Sequence, residues 1–267
     1  MSSDAGVRNG ERRPTVLIAA VVVVVLAVAL GLRWWSTRDD ATESAQVLPT
    51  VPTGVRTVQR PVKLISDTSG IPGVLAWDQR NYMTLATQNG KAVHLSHVPG
   101  PVTYAMTPPA GGPHNIVWMN AGVYTKPVPT ERAVHAVEHG AVWITYDPRL
   151  FQKQIEELQK FVGEQSLIAE PKGQGGINVA GQSNRFIIMS PWRDSSLPTP
   201  VVMSSWGHQL RLKTTTDPRM QRYVDTFRKH APYSPETNEP VDGVPTGVGG
   251  VAAMYGGIRP NPAGTKR

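Results

Sequence analysis

TERAVHAVEHGAVWITYDPRLFQKQIEELQKFVG, residues 130–163, decides the fold class. Thr130 stands where it can cap a short helix through His139, and Gly140 supplies the left-handed stop. AVWITY, from Ala141, then reads as a strand. Asp147-Pro148 opens a second helix that stops at Gly163. That helix carries Phe151, Ile155, Leu158 and Val162 on one face and a Glu156/Lys160 pair.

Further along, RFIIMS from Arg185, VVMSSW from Val201 and QLRLK from Gln209 read as strands, with Gly207-His208 as the turn between the last two. Residues 173–184, GQGGINVAGQSN, form a connection. Asp217-Pro218 opens a third helix whose stripe is Met220, Tyr223, Val224 and Phe227. The order helix, strand, helix, strand, strand, strand, helix predicts an α+β fold, a mixed β-sheet flanked by about three helices. It overlaps the thioredoxin-like order but has no CxxC, so only the scaffold can be shared.

Outside this unit, Thr15 to Leu32 (TVLIAAVVVVVLAVALGL) is uncharged and long enough to cross a bilayer as one transmembrane helix. Arg8, Arg12 and Arg13 precede it, which puts residues 1–14 in the cytoplasm, and Trp34 and Trp35 follow as interfacial anchors. A cleaved signal peptide is the alternative, on Ala27-Val28-Ala29, but the apolar run continues through Leu30. Both readings place the C-terminal domain outside the cytoplasm, and the first predicts a single-pass protein of the cell membrane. Residues 33–60 read as a tether, 61–235 as the extracytoplasmic domain, and 236–267 as a disordered Gly/Pro-rich tail.

The chain has no cysteine, so disulfides and thiolate ligands are excluded. Its formal charge is +7. Residues 1–32 hold three Arg against Asp4 and Glu11, a net +1, which leaves +6 beyond them. No Lys/Arg run with interleaved aromatics appears, so the surface is read as generally basic with no nucleic-acid partner. The expected partners are membrane lipid, through the N-terminal helix, and an envelope membrane protein. The Gly-rich connection is no phosphate cradle, since a strand follows it and no Lys ends it. Ser204 and Ser205 have no base partner in view.

The chemistry concentrates between Thr107 and Pro148. His135 and His139 are four apart on one helix face, and Glu138 flanks them. HAVEH is formally the H-x-x-E-H pattern of inverted zinc peptidases, in which the Glu activates water; no downstream carboxylate can be singled out as the third ligand. His114 sits on a loop stiffened by Pro108, Pro109 and Pro113 and bent by Gly111 and Gly112, which lowers the entropy lost on coordination. His97 is the candidate fourth ligand, with His94 three residues before it. The metal set is therefore His114, His135, His139 and His97, with Glu138 as a second-shell carboxylate orienting a ring. Met106 and Met119 add soft sulfur near in sequence. With the high copper affinity of nitrogen-rich sites, this places copper ahead of zinc. In the opposing view the histidines cap helix carbonyls and Glu138 forms a salt bridge. His208 and His230 read as structural, and Met83, Met189 and Met203 as core filler.

The segments PPAGGPH, GVYTKPVPTE and AVHAVEHGAVWITYDP, followed by PVVMSSWGHQL from Pro200, resemble a bacterial family of membrane-anchored proteins, domain of unknown function 3105. The resemblance runs from about Val93 to Pro235. It implies an extracytoplasmic domain with His97, His114, His135, Glu138 and His139 on the family's motif positions. Many members carry Cys before the Gly of G-x-Y, whereas this chain has Ala121, so no thiol acts there.

Three functions remain open on the sequence. The first is a membrane-anchored extracytoplasmic protein binding copper or zinc through its histidines. The second is a non-enzymatic assembly partner of a membrane complex, with structural histidines. The third is a zinc-dependent hydrolase using HxxEH.

Overall fold

A computed structural model describes residues 56–84, 86–98, 100–166 and 186–244. The expected membrane helix at 15–32 and the connection at 173–184 lie outside those residues. No helix among the described residues is long and apolar enough to cross a membrane.

The sheet follows from three apolar strands, β8 (Val142–Tyr146), β9 (Ile187–Pro191) and β10 (Val201–Ser205), each buried along its whole length. Unbroken apolar runs of this kind arise when both faces of a sheet are covered. Alternation persists beneath the apparent uniformity. Val142, Ile144, Ile187, Met189, Val201 and Met203 enter one core cluster, and Trp143 and Ile188 enter the other. On the first face lie α2 (Gln152–Ser166) through Leu158 and Val162, and α3 (Arg219–Phe227) through Met220, Tyr223, Val224 and Phe227. On the second lies α1 (Thr130–Glu138), through Ala133, Val134, Ala136 and Val137.

The seven-stranded sheet has the order β2 (Leu64–Ile65), β3 (Val74–Trp77), β11 (His208–Leu212), β10, β8, β9, β7 (Gly122–Val123). β8 and β9 run parallel, joined across α2, and β7 is parallel to β9. The β10/β8, β10/β11, β11/β3 and β2/β3 pairs are antiparallel. A second sheet has the order β5 (Lys91–Val93), β4 (Ala86–Gln88), β1 (Thr57–Gln59), β6 (Val102–Thr103). The expected α+β class and three flanking helices are therefore present.

Several boundaries differ from expectation. α2 begins at Gln152, because Asp147 is engaged in a local turn. Its carboxylate accepts from the Arg149 backbone N–H at 2.8 Å and from Arg149 Nη2 at 2.6 Å, while the Gln154 side chain caps the Phe151 N–H. Gly163 continues that helix to Ser166 and does not end it. Thr130 makes no capping bond to the helix, whose N-cap is Pro129. Gly140 has φ +99°, and a Cβ there would lie 2.8 Å from Lys229 Cα, so the stop admits only glycine. Met83 is exposed at 40% and is not core.

The expected domain limits also move outward. Thr57 and Gln59, placed in the tether, are buried in β1. Val241 and Val244, placed in the tail, are buried too. The Ala121 N–H donates to Val241 O at 2.6 Å, and the Asn120 amide brackets Val244 by donating to its carbonyl and accepting its N–H. This backbone finds partners in the fold, so residues 236–244 belong to the packed unit.

Candidate metal site

Local chain geometry brings the site together. His97 and His114 form an isolated parallel bridge, with Val98 N–H donating to His114 O at 2.7 Å and His114 N–H to Ser96 O at 2.9 Å. The His114 loop is held from β1, where the Gln59 side chain donates to Gly111 O at 3.2 Å and accepts the Ala105 N–H at 3.2 Å. Gly112 has φ +116°, and a Cβ there would collide with the Gln59 amide, so glycine lets the loop close on that clamp. His135, Glu138 and His139 come from the last turns of α1.

His114, His135, Glu138 and His139 are all at most 4% exposed, whereas His97 is exposed at the rim. One ligand atom from each of His97, His114, His135 and Glu138 lies within 4.8 Å of the others. Tetrahedral bonds of about 2.1 Å set donors roughly 3.4 Å apart. Donors 4.8 Å apart stand about 2.9 Å from a common centre, so each needs to draw in by under about 1 Å. This side-chain set can hold a metal ion. A second set, His135, Glu138, His139 and Glu236, meets the same criterion and shares two residues with the first.

Three rings are oriented by backbone carbonyls. His114 Nδ1 faces Gly112 O at 2.8 Å, His135 Nδ1 faces Asn115 O at 2.7 Å, and His139 Nδ1 faces Pro240 O at 2.7 Å. A carbonyl only accepts, so each Nδ1 carries the proton, and in a neutral ring Nε2 keeps the lone pair. Ligating histidines have this arrangement. His114 Nε2 lies 3.0 Å from Glu138 Oε2, yet His114 Nε2 and Glu138 Oε1 have no hydrogen-bond partner among the described residues. Protonated, the ring pairs with Glu138; neutral, it turns a lone pair toward the carboxylate, a meeting that a cation between them relieves.

Burial pushes His135 down to about 2, helped by the neighbouring His114, His139 and His97. Burial lowers His97 and His139 as well, and for His139 it outweighs the opposing Pro240 carbonyl and Glu138. Burial alone would raise the Glu138 carboxyl, but His114 and the Tyr82 hydroxyl together bring it below its ordinary value. Neutral imidazoles beside a carboxylate are the protonation states a metal ligand set requires.

The donor sets differ from the expected one at two points. Glu138 offers a donor atom to both sets, and three backbone carbonyls orient the rings. His139 groups with Glu236, not with His97 and His114. Three contributors had no sequence signal. Glu236 sits in the expected tail, and its backbone N–H donates to Glu138 O at 3.2 Å, which carries its carboxylate to 3.4 Å from His139 Nε2. The Tyr82 hydroxyl, raised by burial and then by Glu138, in turn lowers that carboxyl. Trp118 packs against the His135 and His139 rings at 5.8 and 5.3 Å. His94, His208 and His230 belong to neither set, and Nδ1 of His208 and of His230 donates to Trp206 O and Thr226 O respectively. Met119 is buried in the apolar cluster beside Tyr124 and Val128, the place of a packing residue.

A search of the curated proteins and of the solved structures finds no match to the chain. The family model described as Protein of unknown function (DUF3105) matches residues 97–243, more than half of the chain and all six residues of the two donor sets.

Proposed function

The chain belongs to this family of unknown function, DUF3105, and from the cluster in its matched region we propose that it binds a divalent transition metal. The ion is held by His97, His114, His135 and Glu138. The observation that carries this reading is the set of Nδ1–carbonyl bonds, which leaves Nε2 of His114 and His135 to ligate, that of His114 at 3.0 Å from the buried Glu138. Three imidazoles and a carboxylate suit copper(II) or zinc, and copper stands ahead on intrinsic affinity. The exposed His97 gives the ion a way in. Calorimetry with Cu(II) and Zn(II) tests the reading. The chain should take up metal, and replacing both His135 and His139 by Ala should abolish uptake while circular dichroism stays native. Unchanged uptake by that variant would overturn it.

A zinc-dependent hydrolase is the second reading, supported by Glu236. Beside His135 and His139, Glu236 supplies the downstream carboxylate that the H-x-x-E-H pattern needs, leaving Glu138 as the base. A zinc-dependent hydrolytic rate lost in Glu138→Gln with metal retained would favour it; a rate of zero in the zinc-loaded chain would remove it. A purely structural role, in an assembly partner of a membrane complex, is favoured by the 3.0 Å His114–Glu138 contact read as an ion pair, and it leaves Glu138 Oε1 without a partner among the described residues.

The location we propose is the cell membrane, through residues 15–32, with the domain on the outer side. Its support is the uncharged run, the preceding arginines and the following tryptophans. Protease added to intact spheroplasts should digest the domain, and full protection would reverse the topology. The strand order β11-β10-β8-β9, with β8 and β9 parallel, supports a thioredoxin-like scaffold without its cysteine pair.

A further inference from the structure

Two overlapping donor sets meet in this cluster. The rings of His97, His114 and His135 form a triangle with centroids 5.0, 4.8 and 5.0 Å apart, and His139 adjoins it through His135 at 4.5 Å. Together with Glu138 and Glu236 they make six donor residues, more than a tetrahedral ion takes. His135 and Glu138 lie in both sets and differ in what they can share. His135 offers one nitrogen, because Nδ1 is occupied by Asn115 O at 2.7 Å. Glu138 offers two oxygens. It is 1% exposed, its Oε2 lies 3.0 Å from His114 Nε2, and its Oε1 has no hydrogen-bond partner among the described residues. A fully buried carboxylate oxygen without a partner is costly unless a cation meets it.

We propose that the cluster is a two-ion centre for divalent first-row metals, with Glu138 bridging the ions. His97 and His114 serve one ion, His139 and Glu236 the other, and His135 completes one of the two. This rests on the reading of the cluster as a metal site and adds a second ion to it. Bridged pairs of this kind stand about 3.5–4 Å apart. Each oxygen of the bridge then faces one ion, which gives Oε1 its partner. The second ion is held partly by the 236–240 segment, which is fixed to the end of α1 by the Glu236 N–H···Glu138 O and His139 Nδ1···Pro240 O bonds. Its affinity depends on that segment staying docked.

The test is the metal content of the full-length chain, stripped with chelator and re-equilibrated with Zn(II). Two equivalents are expected in the wild type and one in Glu236→Gln, an isosteric change at a side chain that is 44% exposed, with circular dichroism checking that the fold is native. With two equivalents of Cu(II), the electron paramagnetic resonance signal should account for well under the total copper, because ions this close couple. One equivalent should give its full signal. Saturation of the wild type at one equivalent, unaltered in Glu236→Gln, overturns the second ion and leaves the single-ion reading standing. No uptake at all overturns both. Two equivalents with full, uncoupled copper signal overturn the bridge.

Discussion

At the residue scale the site depends on who holds each proton. The Tyr82 hydroxyl is raised by burial and then by Glu138, and its ring packs edge-on against Trp206 at 4.8 Å. Tyr82→Phe keeps the ring and removes only the hydroxyl that lowers Glu138, so metal affinity should fall about tenfold, the lower end of what outer partners of ligands contribute. A calorimetric titration showing unchanged affinity would separate Tyr82 from the site. The histidines also predict a pH dependence for the metal-free chain. His97, His135 and His139 are lowered from 6.5 in the folded state, so between their folded values and about 6.5 the unfolded chain binds more protons. Stability is present above that range and drains away as pH falls through it. Glu138, also lowered, adds to the loss in more acid solution, and Glu236, raised mainly by burial and then by Glu138, opposes it. The urea midpoint measured with chelator should therefore be lower at pH 5 than at pH 7.5; an equal or higher midpoint would contradict the burial of neutral rings. His135, Glu138 and His139 were legible because helical spacing alone puts them together. Glu138's place among the donors was not, since that depends on His114 arriving from a loop 24 residues earlier.

At the element scale, α1 and the strand after it were readable because Gly140 marks the junction in the sequence. Its φ of +99° and the approach of the Lys229 backbone leave no room for a side chain. Gly140→Ala should cost more than about 1 kcal/mol in chemical denaturation, since both backbone and contact are violated. A neutral result would mean that the α1–β8 junction relaxes freely. The α3 stripe was equally plain, because all four of its apolar residues are the ones buried. The start of α2 was misread for a local reason. Asp147-Pro148-Arg149 and Asp217-Pro218-Arg219 make the same side-chain turn, but only the second runs directly into a helix. The short strands β1 to β7 carry two to four residues each, too few for alternation to show.

At the scale of the whole molecule, the C-terminal segment is the piece that composition misrepresents. Residues 236–244 lack periodic apolar positions, yet Val241 and Val244 are buried and Pro240 orients His139. Their order comes from long-range partners that sequence spacing does not display, among them the Trp118 Nε1–H···Asp242 O bond at 3.2 Å. A chain ending after Pro235 should lose several degrees of melting temperature, and one ending after Val244 should keep it. Equal melting of the two would return this segment to the status of a tail. A metal centre requires the Nε2 atoms of the cluster to meet at the ion. X-ray absorption of the full-length chain loaded with one equivalent of Zn(II) addresses that most directly. The expected result is a nitrogen/oxygen shell at about 2.0–2.1 Å with outer scattering from three imidazoles. A shell of oxygen alone, without imidazole scattering, would contradict it.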